Sequence, residues 1–160
     1  MLPDFLIPPR NRKGWLACVG VVLVVTLGLN GLLAAFGWRD TGPQDYQSVA
    51  LALPPGGVIG AVWTLLFVGL GTAFWLLASA PSPQTRRKSG EVLAFMAFCL
   101  AYPFLTVGFS FPVVIIGGNF LCILWSAYLT GVVRDVSRPA AGLLFLPALW
   151  VCYATWAVLT

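Results

Sequence analysis

No histidine occurs anywhere in this chain. That absence removes His-ligated haem, imidazole acid–base catalysis and most transition-metal sites together. Charge is almost as scarce. Charged residues make up 9% of the 160, and only 5 are acidic, so no acidic pair for hydrolysis stands out. The four cysteines, Cys18, Cys99, Cys122 and Cys152, lie singly inside apolar segments without any CxxC spacing. Neither a zinc site nor a disulfide framework is indicated, and each reads as a small buried hydrophobe. A phosphate-cradling glycine loop and a nucleophile–base pair are also missing.

What the chain has instead is apolar surface. Hydrophobic residues reach 59% and the mean hydropathy is +0.92, far from the balance of a soluble domain. A globule of this size cannot hide so much apolar area, so the expectation is an all-α integral membrane protein in contact with the lipid bilayer. The net charge of +4 sits in short clusters between apolar runs. Such clusters are topology signals, and no nucleic acid is expected as a partner.

The spacing of these runs predicts one five-helix membrane domain over 1–160, with spans at about 14–38, 55–80, 91–109, 112–133 and 139–160. Gly14 to Trp38 is free of charge and too long for a signal-peptide core. Asn30 is its one amide, serving either a helix–helix hydrogen bond or a cavity. Residues 39–54 form a loop long enough to fold over the bundle as a lid. A hydrophilic loop carrying Arg86, Arg87 and Lys88 follows the second span. The 42 positions from Val92 to Val133 hold no charge. As helix they would extend about 63 Å, twice the bilayer core, so two spans are needed. The break belongs at Gly108 to Pro112. Of the 9 basic residues only Arg39 falls on the loop-one side. The positive-inside rule then places the N-terminus in the cytoplasm and the C-terminus outside, with a bacterial inner membrane as the expected location.

Intramembrane charge is what ion channels and proton-coupled pumps use, and these spans offer π-surface, hydroxyls and amides instead. Trp15, Trp38, Trp75 and Trp156 lie near span ends, as interfacial belts require. Trp63, Trp125 and Trp150 lie deeper. In the second span Trp63 and Phe67 are four residues apart on one face, entered through Pro54 and Pro55. Trp150 lies at comparable depth in the fifth span, with Tyr153 three residues on. The third span has its own stripe of Phe98, Tyr102, Leu105 and Phe109, with Pro103 able to kink it. Bundle packing or lipid contact explains each stripe singly. Their convergence at one end of the bundle points equally to a ligand pocket.

Pro54-Pro55-Gly56, Ile59-Gly60, Trp63 and Leu66-Phe67 together form a PPGxxIGxxWxxLF pattern. With Leu143 to Pro147 followed by Trp150, Tyr153, Ala154 and Thr155, the chain resembles the TspO/MBR family of tryptophan-rich sensory proteins and translocator proteins. The resemblance covers the whole topology, with motif identity in the second and fifth spans. It departs at Ala52, where the family usually has tryptophan, and at Tyr102, which takes the place of a helix-three asparagine. Asn119 stands near a helix-four position where many members have aspartate. The resemblance implies a five-helix membrane protein, often a homodimer, that needs no cofactor. It further implies binding of porphyrins or haem, and in some members sterols. Trp63 and Trp150 would be pocket walls, and Pro54 and Pro55 would shape the junction of loop one with the second span. Beside what the resemblance implies, Phe67, Tyr102, Asn119 and Tyr153 complete the expected ligand-binding set. Light-dependent porphyrin breakdown, attributed to some members, is not assigned.

The sequence therefore points to a receptor or transporter-like protein for a hydrophobic planar molecule. The alternative is a structural or assembly subunit whose helices pack on partner helices through Gly56 and Gly60 or Ala97 and Ala101.

Overall fold

A computed structural model describes residues 12–36, 54, 56–80, 82–109 and 112–159, apart from the side chains of 105–113 and 158–159. Among the described residues there are five helices: α1 Arg12–Ala35, α2 Gly56–Ala78, α3 Pro83–Phe109, α4 Pro112–Arg134 and α5 Arg138–Leu159. The expected lid, Ala52 and Trp38 lie outside the described residues. Among those residues four helices, α1, α2, α4 and α5, are long and apolar enough to cross a membrane. The apolar part of α3, Val92 to Phe109, adds about 27 Å of helix.

Local chemistry sets where the helices begin. Ser82 caps α3: its Oγ accepts the Gln84 N–H at 3.2 Å, and Pro83 fills the first helical position, where no N–H is needed. The basic run Arg86-Arg87-Lys88, expected in a loop, is therefore in the first turns of α3. The correction follows from that cap, because nothing after Ser82-Pro83 interrupts the helix. Arg87 pairs with Glu91 one turn on, at 3.8 Å, and Lys88 Nζ donates to the Val132 carbonyl near the end of α4, where the helix dipole favours a cation. Ser137 caps α5 in the same way, accepting the Ala140 N–H at 3.4 Å.

Helices α2, α3, α4 and α5 pack in a ring, each against its two neighbours, with α4 and α5 in the most extensive contact. The core within the ring includes Leu70, Leu77, Phe95, Leu129 and Leu144, all fully buried. An aromatic seam joins α3 to α4: Trp125 lies 5.6 Å from the Phe95 ring and 5.8 Å from the Phe98 ring. Trp75 belongs to the buried core rather than to an interfacial belt. It faces α1, where a Cβ at Gly14 would stand 3.4 Å from its indole Nε1. Outward-facing residues such as Val24, Leu65 and Leu124 are exposed and apolar. That surface is suited to lipid and would be untenable in water.

Helix α1 sits outside the ring and packs principally on α2. Their near halves are held closely: Trp15 Nε1 donates to Thr72 Oγ1 at 3.1 Å, and Cys18 Sγ approaches the Gly71 carbonyl at 3.5 Å. Gly71 makes this approach possible, since a Cβ there would meet Val22 Cγ2 at 3.0 Å. Without water in the bilayer, small residues that let backbones close up are a main source of helix association. Gly71→Val should lower thermal stability in detergent by about 1–3 kcal/mol, and a compensating Val22→Ala should recover part of the loss. Equal melting temperatures for wild type and Gly71→Val would show that α1 is not held at this point.

Candidate functional site

Away from Gly71, towards the C-terminal half of α1, the two helices line a cavity of about 350 Å³. All described helices contribute. Thr26, Leu29, Asn30 and Leu33 come from α1, and Gly56, Ile59, Gly60, Trp63 and Phe67 from α2. The far wall is Cys99, Tyr102 and Pro103 of α3, Asn119 of α4, and Trp150, Val151 and Ala154 of α5. The glycines matter here because they leave room at the α1 side; a Cβ at Gly60 would come within 3.9 Å of Asn30 Nδ2. Gly56 and Gly60 thus line the cavity.

Of the residues expected at the site, Trp63, Phe67, Tyr102, Asn119 and Trp150 line this one cavity. Trp63 and Phe67 form a tilted pair with centroids 5.8 Å apart, as their i, i+4 spacing requires. Tyr153 does not line it. Its ring contacts Trp150 at 5.5 Å, but the residue is 37% exposed. Three residues turn a helix by about 300°, so Tyr153 sits about 60° around from Trp150 and looks outward. Pro54 is half-buried and not among the cavity residues; Pro55 lies outside the described residues.

The polar wall opposite α1 is internally bonded. Tyr102 Oη lies 2.8 Å from Asn119 Oδ1 and 2.7 Å from the Ile115 carbonyl. A phenol carries one proton, so it is given to one of these acceptors at a time. Asn119 Nδ2 donates to Thr155 Oγ1 at 2.9 Å, and Thr155 donates on to the Val151 carbonyl at 2.7 Å. Three helices are thereby tied by one chain of hydrogen bonds. Thr155 belongs to the family pattern, but its partner is 36 positions away, which spacing along one helix does not reveal. The α1 wall was foreshadowed only by Asn30.

Pro103 lies inside α3 and has no N–H to give the Cys99 carbonyl one turn back. Pro147 does the same inside α5, next to the Leu144 carbonyl that accepts a hydrogen bond from the buried Ser126 hydroxyl. Both prolines interrupt helices that form the cavity's far wall. Among the described residues that line the cavity, none is charged. Among all described residues no group of three or more metal-ligating side chains occurs.

Room for Tyr102 depends on Gly118. A Cβ there would stand 2.2 Å from Tyr102 Cε2, a distance no packing tolerates. Gly118→Ala should push the ring off Asn119 and destabilise the protein by about 1–3 kcal/mol. Tyr102→Phe/Gly118→Ala should then add little beyond Gly118→Ala alone, as a double-mutant cycle of thermal unfolding would read out.

Comparison with known proteins gives one match and two blanks. The profile of the TspO/MBR family matches residues 18–160. No curated protein matches, and no solved structure does.

Proposed function

The chain belongs to the TspO/MBR family, and from that premise we propose that it binds a planar apolar ligand of the tetrapyrrole class in the cavity between its helices. At family level the role is sterol- or tetrapyrrole-binding or transport-related, at a membrane, and generally without catalysis. The observation that carries the finer reading is the make-up of the cavity. Two indoles from different helices, Trp63 and Trp150, face one space together with Phe67 and a few neutral polar groups. Its volume is within the range of small-molecule sites. Flat π-faces reward a flat partner: an aromatic contact is worth about 0.5–1.5 kcal/mol beyond area burial.

Position in the membrane follows from charge. Every charged side chain among the described residues, from Arg12 and Lys13 through Arg86 to Glu91 and Arg134 to Arg138, lies at the end of the bundle away from the cavity. The positive-inside rule makes that end cytoplasmic, so the cavity belongs to the outer half. A homodimer through the lipid-facing helices belongs to the same reading.

Protoporphyrin titrated into the protein in lipid nanodiscs should quench tryptophan fluorescence and shift the porphyrin absorbance. Trp63→Ala with Trp150→Ala should weaken that binding by about tenfold or more, while Trp75→Phe, in the core, leaves it unchanged. Unchanged affinity in the double variant would sink the assignment of these walls.

A further inference from the structure

We infer that the α1 side of the cavity, Thr26 with Asn30, is a hydrogen-bonding strip for an uncharged oxygen of the ligand, so that the site selects neutral molecules over carboxylates. This deepens the tetrapyrrole reading and rests on it.

Among the described threonine side chains Thr26 is the one whose buried hydroxyl has no partner. Thr64, Thr72, Thr130 and Thr155 each return their hydroxyl to the carbonyl four residues back, at 2.7 to 2.9 Å. Thr26, 3% exposed and lining the cavity, has a buried Oγ1 with no hydrogen-bond partner. Buried polar groups without partners are rare because each one costs stability. In a helix, threonine has two accessible χ1 wells, so this hydroxyl is free to be re-aimed without moving the backbone. Asn30 is one turn further on the same face. It also lines the cavity, and it makes no hydrogen bond to any described residue. The polar groups across from them are committed to one another, Tyr102 to Asn119 and Asn119 to Thr155. Among the described residues, Thr26 and Asn30 are the cavity's hydroxyl and amide side chains without a hydrogen bond to the protein.

What they offer is neutral. A carboxylate entering here would lose its water and meet no cation among the described residues, whose charged side chains stand at the other end of the bundle. Burying an unpaired charge is among the costliest changes a site can make. An ester, ketone or hydroxyl oxygen gives up far less and takes the Thr26 O–H or an Asn30 N–H in return.

Three porphyrins separate the possibilities, measured on the full chain in nanodiscs with empty nanodiscs as reference. These are protoporphyrin IX, its dimethyl ester, and etioporphyrin, which carries alkyl groups only. The ester should bind at least tenfold tighter than the diacid at neutral pH. Thr26→Val and Asn30→Leu should each weaken the ester by about three- to tenfold and leave etioporphyrin unchanged, which also shows that the variants fold. Thr26→Val should in addition raise the melting temperature of the ligand-free protein, because it removes the unpaired hydroxyl. A diacid that binds as well as the ester, or an ester indifferent to both substitutions, overturns the inference while etioporphyrin binding leaves the tetrapyrrole reading standing. If none of the three binds, that reading falls, and this one with it.

Discussion

A bilayer core holds no water to rescue an unpaired polar group, and this bundle is built around that constraint. Backbone groups are satisfied inside each helix, apart from its ends and the carbonyls that face Pro103 and Pro147. Side-chain hydroxyls and amides then have two outlets, their own helix or another one. Most take the first, as Thr64 and Thr130 do. The exceptions define the tertiary structure. Asn119 reaches Tyr102 on one side and Thr155 on the other, locking α3, α4 and α5 together, and Trp15 reaches Thr72 to hold α1 on α2. Each such bond contributes about 1 kcal/mol or less in membranes, so their value is mainly in specifying which faces meet.

Much of this was legible in the residues. Charge-free runs and the Gly108 to Pro112 break mark helices whose bounds depend only on composition and on proline. The aromatic face Trp63–Phe67 is local too, because i, i+4 geometry is a property of any helix. Errors arose where the answer depended on another helix or on a cap. Trp75 looks interfacial by position, but its burial comes from α1 packing across Gly14. Tyr153 looks like a wall residue until helical phase is compared with where the cavity lies. Arg86 to Lys88 look like a loop until Ser82 is seen as a cap. For Asn119, position marked it as a candidate, but its link to Thr155 is a contact between helices that no periodicity encodes.

The bundle is also divided along its length. At one end lie the basic side chains of the described residues, including Lys88 on the Val132 carbonyl, and close glycine-mediated packing of α1 on α2. At the other lie the proline-interrupted stretches of α3 and α5, the hydrogen-bonded triad and the cavity. Firm packing at one end leaves the other free to be hollow, since association of the helices does not depend on filling that space.

Helix α1 supplies a whole side of the cavity yet is anchored principally to a single neighbour. Local opening free energies scale with the contacts that an element makes, so α1 belongs to the least protected part of the fold while the ring α2 to α5 forms its cooperative unit. A molecule bridging α1 to the far wall supplies the second anchor that the protein itself does not build. By linkage, whatever free energy is gained in binding appears as added order in α1. Amide exchange along that helix would therefore report occupancy, whichever ligand is bound and without any probe attached to it.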